Sequence, residues 1–399
     1  MTNQHLLAEV SAKEVLDAYK PGAFFLASPK STMLAEGMFA EVPDTDAENQ
    51  LDSLPERVRQ TLLEAKQAGI KHPIAAGAIP FDSRKASRLF VPKNVHTAGP
   101  LSFAESSAEK PQSNTYDICP VPEPEGFMSG VEQGVFNITD GPLSKIVLSR
   151  TLHLTAEKDI DIPQAVKHLA QDNPRGYTFV ADVTGTSETR KTLFGASPEL
   201  LCCPKTEHRF CPIRWQVPDL AKTDPAEDQR RAEELPQSAK DLHEHAVVVA
   251  AVAAALKPFC RVLDVPEKPS LIKTEAMWHL STEVKGEPRD PSTTSLELAI
   301  ALHPTPAVCG TPTDAAREAI QDIEPFDRNF YTGMAGWCDA EGDGEWIIAL
   351  RCAEAETRSL RLFAGAGIVA GSKPQDELDE TSAKFRTMLR AMGLYQDEL

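Results

Sequence analysis

Apolar residues gather along this chain in short runs, bounded by Gly, Pro or charged residues, that read as buried strands. These are Gly22–Ser28 (GAFFLAS), His72–Asp82, Lys145–Leu154 (KIVLSRTLHL) and Tyr177–Val183. Helical stretches separate them, over Leu54–Gln67, about Gly126–Asn137 and about Pro163–Gln171, with a long helix over about Ala226–Pro258 and a last one over about Pro374–Met392. Two later segments, EWIIALRCAEA (345–355) and RSLRLFAGAGIV (358–369), are separated by only a few residues around Glu356. So short a connection cannot carry a crossover, so it predicts antiparallel pairing. The expected class is therefore α+β rather than a doubly wound parallel sheet. The polar, Pro-rich stretch Ser106–Pro124 reads as a surface connection dividing subdomains.

At 399 residues the chain can bury a large core, and length alone suggests about two or three domains. A net charge of −18 argues against nucleic acid or an anionic membrane surface, which draw most of their affinity from basic patches. A small-molecule ligand fits better. No apolar run approaches the roughly 20 residues that span a bilayer, and Met1–Glu9 lacks the basic start of a signal peptide, so the expected location is cytoplasmic. Of eight cysteines only Cys202 and Cys203 are close neighbours, and no C-x-x-C occurs, a pattern of reduced thiols rather than disulfides or zinc.

The segment LFAGAGIVAGSKPQDELDETSAKF (362–385) runs from an apolar strand through glycines into a helix. A phosphate loop would aim its helix N-terminus at an anion, but this helix opens with Asp376, Glu377, Asp379 and Glu380. Ser372 and Gln375 have capping-box spacing, and Pro374 fits the first turn. Glu377, Glu380 and Lys384 recur at i, i+3 and i+7 on one face; Asp241 and Glu244 make a second acidic face on the long helix. Two such faces could share a hard cation, and magnesium takes one or two carboxylates directly and keeps several waters. His243 and His245 lie about 200° apart on that helix and cannot reach one metal.

Several stretches together resemble the chorismate-utilising enzymes, most closely the short isochorismate synthases of catecholate siderophore biosynthesis. They are KIVLSR (145–150), FGASPELL (194–201), AKDLHEHAVVV (239–249), MWHLST (277–282), LHPTPAVCGTP (302–312), EPFDRNFYTGMAGWCD (324–339), RCAE (351–354) and the DETSAKF tail. The first 120 residues match loosely, and the motifs fall within 126–395. The resemblance implies a single chorismate-binding domain over the whole chain, with the fold of anthranilate synthase component I. That fold has two similar halves, largely antiparallel sheets packed inside and helices outside. It also implies a Mg²⁺-dependent reaction, chorismate to isochorismate, by attack of water at ring C2 and loss of the C4 hydroxyl. The implied setting is 2,3-dihydroxybenzoate siderophore biosynthesis, by a monomer whose product passes to an isochorismatase.

The same resemblance suggests roles. Lys145 is the base for water, where amine-transferring relatives usually carry Gln. A free lysine titrates near 10.4, so this role asks for a depression of roughly three units. Glu199 is the acid for the leaving hydroxyl. Glu244 and Glu380 bind magnesium directly, with Asp241 and Glu377 acting through water. Arg351 pairs with the enolpyruvyl carboxylate. Gly365 and Gly367, in a glycine-rich turn, offer backbone N–H groups to a substrate carboxylate, and His279 and Lys384 complete the substrate contacts. One stretch departs from the family: CPIRWQVPD (211–219) puts Ile213–Gln216 where relatives carry Leu-Ala-Gly-Ser. Two alternatives follow, a salicylate synthase and a catalytically impaired chorismate-binding homologue.

Overall fold

The strands are β1 (Phe24–Ala27), β2 (Thr32–Glu41), β3 (Ile74–Ile79), β4 (Arg88–Ala98), β5 (Tyr116–Val121), β6 (Lys145–Ala156), β7 (Tyr177–Asp182), β8 (Thr192–Ser197), β9 (Leu200–Cys202), β10 (Val217–Leu220), β11 (Cys260–Asp264), β12 (Ser270–Lys273), β13 (Met277–Ser281), β14 (Lys285–Pro288), β15 (Gly310–Thr311), β16 (Met334–Asp339), β17 (Gly344–Ile348), β18 (Cys352–Ala355) and β19 (Ser359–Ile368). The helices are α1 (Ala12–Asp17), α2 (Leu54–Gln67), α3 (Pro124–Thr139), α4 (Ile162–Asp172), α5 (Ala239–Leu256), α6 (Ser295–Leu302), α7 (Thr313–Ile323) and α8 (Pro374–Ala391). This computed structural model describes residues 11–103, 114–185, 189–202, 217–220, 230, 233, 235–273 and 277–394.

Among the described residues, fourteen strands form one sheet in the order β15-β6-β19-β18-β8-β7-β1-β2-β4-β3-β16-β17-β9, with β5 also on β6. Every pairing is antiparallel, as the short connections predict. The N-terminal strands β1 to β4 occupy the middle of this path. Smaller sheets are β10-β13-β12 and β11-β14.

The path cannot lie flat. β8 and β9 are joined by Pro198-Glu199 alone, and β17 and β18 by Ala349-Leu350-Arg351, yet β8 pairs with β18 while β9 pairs with β17 at the far end. Two or three residues span at most about 10 Å, so the sheet folds over until its halves face each other. Phe24, Phe179, Leu193, Ala335, Ile347, Cys352 and Phe363 fill the space between the halves. The outer faces are covered by helices: α2, α5 and α6 on one half, α1, α4 and α8 on the other, and α3 with α7 over the end of β6 and β19.

Five expectations need correction. The stretch 114–124 is not a plain connection, because Tyr116–Val121 forms β5 and pairs with Thr151–Ala156 of β6. The segment 345–355 is two strands, broken at Arg351 with φ +45°, and only its second half forms the hairpin with β19. The glycine-rich stretch is not a turn but extended strand up to Ile368. The long helix is interrupted: Arg230 and Glu233 are helical, a single 3-10 turn follows at Leu235–Gln237, and the helix then runs over Ala239–Leu256; Pro236 lacks the N–H that a continuous helix would need. The capping box of α8 does not form: Lys373 is the N-cap, and Ser372 Oγ accepts from the N–H of Val369 instead.

Candidate active site

Strand parity places the first group of site residues. In β6 and β19 the register pairs Val147 with Gly367, Ser149 with Gly365 and Thr151 with Phe363. Because successive side chains alternate, Lys145, Val147 and Ser149 share a face with Gly367, Gly365 and Phe363, turned toward the other half. Ile146, Leu148, Ala366 and Ile368 face α3 and α7. Lys145, read as the base, is only 2% exposed despite sitting at the start of its strand.

The same register directs backbone groups. The N–H of Val147 and of Ser149 bond away from β19, to Cys309 O at 2.8 Å and Glu324 Oε1 at 2.7 Å. Gly365 and Gly367 therefore point their N–H and C=O groups away from β6, toward an edge that β18 covers only as far as Leu362. Gly365 O takes up a bond there from Lys384 Nζ at 2.7 Å. Gly365 has no room for a side chain: a Cβ would lie 2.6 Å from Ser149 Oγ and 2.9 Å from the Tyr331 hydroxyl. Tyr331 stacks on Phe363, centroids 4.9 Å apart.

The second group sits where the chain passes between the halves. Glu199 occupies the β8–β9 connection, anchored by Glu199 N–H to Ser197 Oγ at 3.1 Å and by Ile348 N–H to its carbonyl at 3.2 Å. Its carboxyl is buried, and Oε1 has no hydrogen-bond partner among the described residues. Loss of hydration pushes its pKa up to about 8, against the pull of the nearby Lys145 and Lys384 cations. Near neutrality it is a protonated acid beside two amines. Arg351 occupies the β17–β18 connection, and its carbonyl receives the N–H of Ala196 at 3.1 Å. Gly195 permits that approach, since a Cβ there would meet Arg351 O at 2.6 Å. Burial pulls the Arg351 pKa down, and Glu380 and Tyr331 oppose this.

The third group comes from α8. Glu377 is buried at 2% exposure, and Glu380, one turn on, is partly exposed and 2.5 Å from Lys384 Nζ. These are hard oxygen donors of the kind magnesium takes. Among the described residues no three His, Cys, Asp or Glu side chains cluster as a metal site. The side chains of Asp241, Glu244 and His279 lie outside the described residues, as does Ile213–Gln216. His245, set aside as a ligand above, is buried with Nε2 2.7 Å from Thr282 Oγ1.

Lys145, Glu199, Arg351, Gly365, Glu380 and Lys384 are thus linked through contacts or mutual charge. Sequence reasoning passed over Ser149 and Tyr331. Counting by twos from Lys145 finds Ser149; nothing local marks Tyr331, which arrives from a distant connection.

A family model described as chorismate binding enzyme matches residues 93–393. The chain is 61% identical over 397 residues to the isochorismate synthase DhbC of Bacillus subtilis (strain 168), covering 99% of each. The crystal structure of DhbC from Bacillus anthracis, described as 2,3-dihydroxybenzoate-specific, superimposes with a TM-score of 0.90 at 52% identity, over 96% of this chain and 100% of that one. Anthranilate synthase component I from Streptococcus pneumoniae shares the fold, with a TM-score of 0.69 at 19% identity over 97% of this chain and 95% of that one. With both the sequence and the folded-over sheet in agreement, the chain belongs to the chorismate binding enzyme family.

Proposed function

We propose that this chain is an isochorismate synthase, converting chorismate to isochorismate for 2,3-dihydroxybenzoate siderophore biosynthesis. The likeness to DhbC over the whole chain supports the activity. The observation that carries the mechanism is the buried Glu199, with a pKa of about 8, beside Lys145.

Lys145, acting in its neutral amine form, takes a proton from the water that attacks ring C2. Glu199 gives its proton to the hydroxyl leaving C4; a carboxyl held neutral by burial can do this where an ordinary glutamate would already be ionised. Arg351 pairs with the enolpyruvyl carboxylate, and the N–H groups of Gly365 and Gly367 receive the ring carboxylate, with Lys384 and His279 beside it. Glu377 and Glu380, with Asp241 and Glu244 of α5, are the residues to hold magnesium. When bound, the ion neutralises the ring carboxylate and orients it. The whole chain works as one unit in this reading, consistent with β1 to β4 lying within the same sheet.

The test is incubation with chorismate and Mg²⁺, followed by chromatography of the products. Isochorismate is the expected product. Salicylate with pyruvate would make the chain a salicylate synthase instead, and chorismate binding without turnover would mark an impaired homologue.

A further inference from the structure

β6 carries Lys145 and Ser149, yet one of its edges lacks a continuous partner strand. On that edge β15 reaches only Lys145 and Ile146, and β5 begins only at Thr151. In between, the N–H of Val147 bonds to Cys309 O. Two of the other backbone groups on that edge, the Val147 carbonyl and the Ser149 N–H, meet no strand there, and leaving them unpaired in the interior would carry a cost a buried polar group ordinarily avoids. Side chains satisfy them. Glu324 Oε1 accepts the Ser149 N–H at 2.7 Å, and Arg328 Nη2 donates to Val147 O at 2.7 Å.

These two side chains are locked to each other. Arg328 binds Glu324 through Nε at 2.8 Å and Nη2 at 2.6 Å, and both are almost fully buried. Arg328 Nη1 reaches Val308 O at 2.8 Å, just before β15, and Thr332 Oγ1 at 3.3 Å. Its guanidinium packs over Phe81, 4.7 Å from the ring centroid, and lies 5.9 Å from that of Tyr331. A buried ion pair is a poor device for stability alone, because desolvation cancels much of the attraction. Here its hydrogen bonds do what a strand would do.

We propose that the Glu324–Arg328 pair is a positioning device for the reaction. It substitutes for the missing length of partner strand and so fixes the height of Lys145 and Ser149 on the site face. The proposal rests on the reading of Lys145 as base. It requires that neither residue touch substrate, and that loosening the pair misplace the base, where an error near 1 Å can cost about 100-fold in rate.

The experiment compares Arg328→Lys with the parent. Lysine keeps the charge beside Glu324 but cannot span Val147 O, Val308 O and the carboxylate together. The expected result is a kcat at least about tenfold lower with the KM for chorismate within about threefold. Leu62→Ala, a cavity in α2 on the far half, serves as the matched loss of stability and should leave kcat near the parental value. A kcat within twofold of the parent in Arg328→Lys, or a loss no greater than in Leu62→Ala at equal Tm, overturns the proposal. Should Arg328→Lys fail to fold, Glu324→Gln takes its place with the same two criteria. Lys145→Ala, measured alongside, separates the two ideas. If it keeps parental kcat, the base assignment falls and takes the proposal with it; if it is inactive beside a fully active Arg328→Lys, the proposal alone falls.

Discussion

Lys384 Nζ donates to the carbonyl of Gly365 at 2.7 Å and, in the same position, meets Glu380 Oε1 at 2.5 Å. One ammonium therefore joins the exposed edge of β19 to the acidic face of α8, and its charge also reaches Glu199. Lys384→Met should lower kcat/KM for chorismate by at least about tenfold, since a charge-assisted bond of this kind contributes roughly 1.5–3 kcal/mol. It should also move the alkaline limb of the pH profile upward, because a cation that favours ionised Glu199 is gone. A profile unmoved from the parent's would dissociate Lys384 from the acid.

Glu199 predicts the pH dependence of both rate and stability. A group that must deliver a proton and titrates at about 8 should make kcat/KM of the parent fall as pH rises through about 8. Its folded-state value lies above the ordinary 4.5, so between the two the folded chain keeps a proton that the unfolded chain has released. The stability from this group is thus complete below about 4.5 and disappears as pH rises through about 8. Between pH 7 and pH 9 the loss is on the order of 1 kcal/mol. Glu199→Gln should lower kcat at least about 100-fold yet show none of this particular loss, which urea unfolding at the two pH values will read. Equal pH slopes in parent and variant would refute the buried-acid assignment.

Gly365→Ala places a Cβ 2.6 Å from Ser149 Oγ and 2.9 Å from the Tyr331 hydroxyl. Both belong to well-packed groups, so the strand itself would have to move, at about 1–3 kcal/mol for overpacking. The expectation is a clear fall in kcat/KM, with part of it restored in the double variant with Ser149→Ala. Steady-state kinetics of the two proteins decide this, and no restoration would place the fault elsewhere.

Metal dependence should run through α8. EDTA is expected to abolish turnover and added Mg²⁺ to restore it, while Glu380→Ala should need a markedly higher Mg²⁺ concentration for half-maximal rate. Isothermal titration of Mg²⁺ into parent and variant gives a readout independent of turnover. Parental Mg²⁺ affinity in Glu380→Ala would exclude that carboxylate.

How far the residues alone led is clear in β6 and α8. Local chemistry governs whether a segment is strand or helix, and the apolar run KIVLSR and the helix from Pro374 follow from it closely. The same holds for Leu54–Gln67, whose limits coincide with those expected. Spacing alone put Glu377, Glu380 and Lys384 on one helical face, and motif resemblance picked out Lys145, Glu199 and Arg351.

Other features depended on contacts between distant segments. A strand for Tyr116–Val121 exists because β6 offers an edge there, and the break at Arg351 exists because β17 and β18 belong to opposite halves of a folded-over sheet. Neither partner is visible from within the segment. The same is true of chemistry: a glutamate in a Pro-Glu dipeptide is ordinarily solvated and ionised, and only the closing of the two halves around Glu199 removes its water and makes it an acid near neutrality. The residues set which groups could act, through periodicity and side-chain type. Tertiary structure decided their protonation and their neighbours, because desolvation and strand pairing are properties of segments brought together across hundreds of residues.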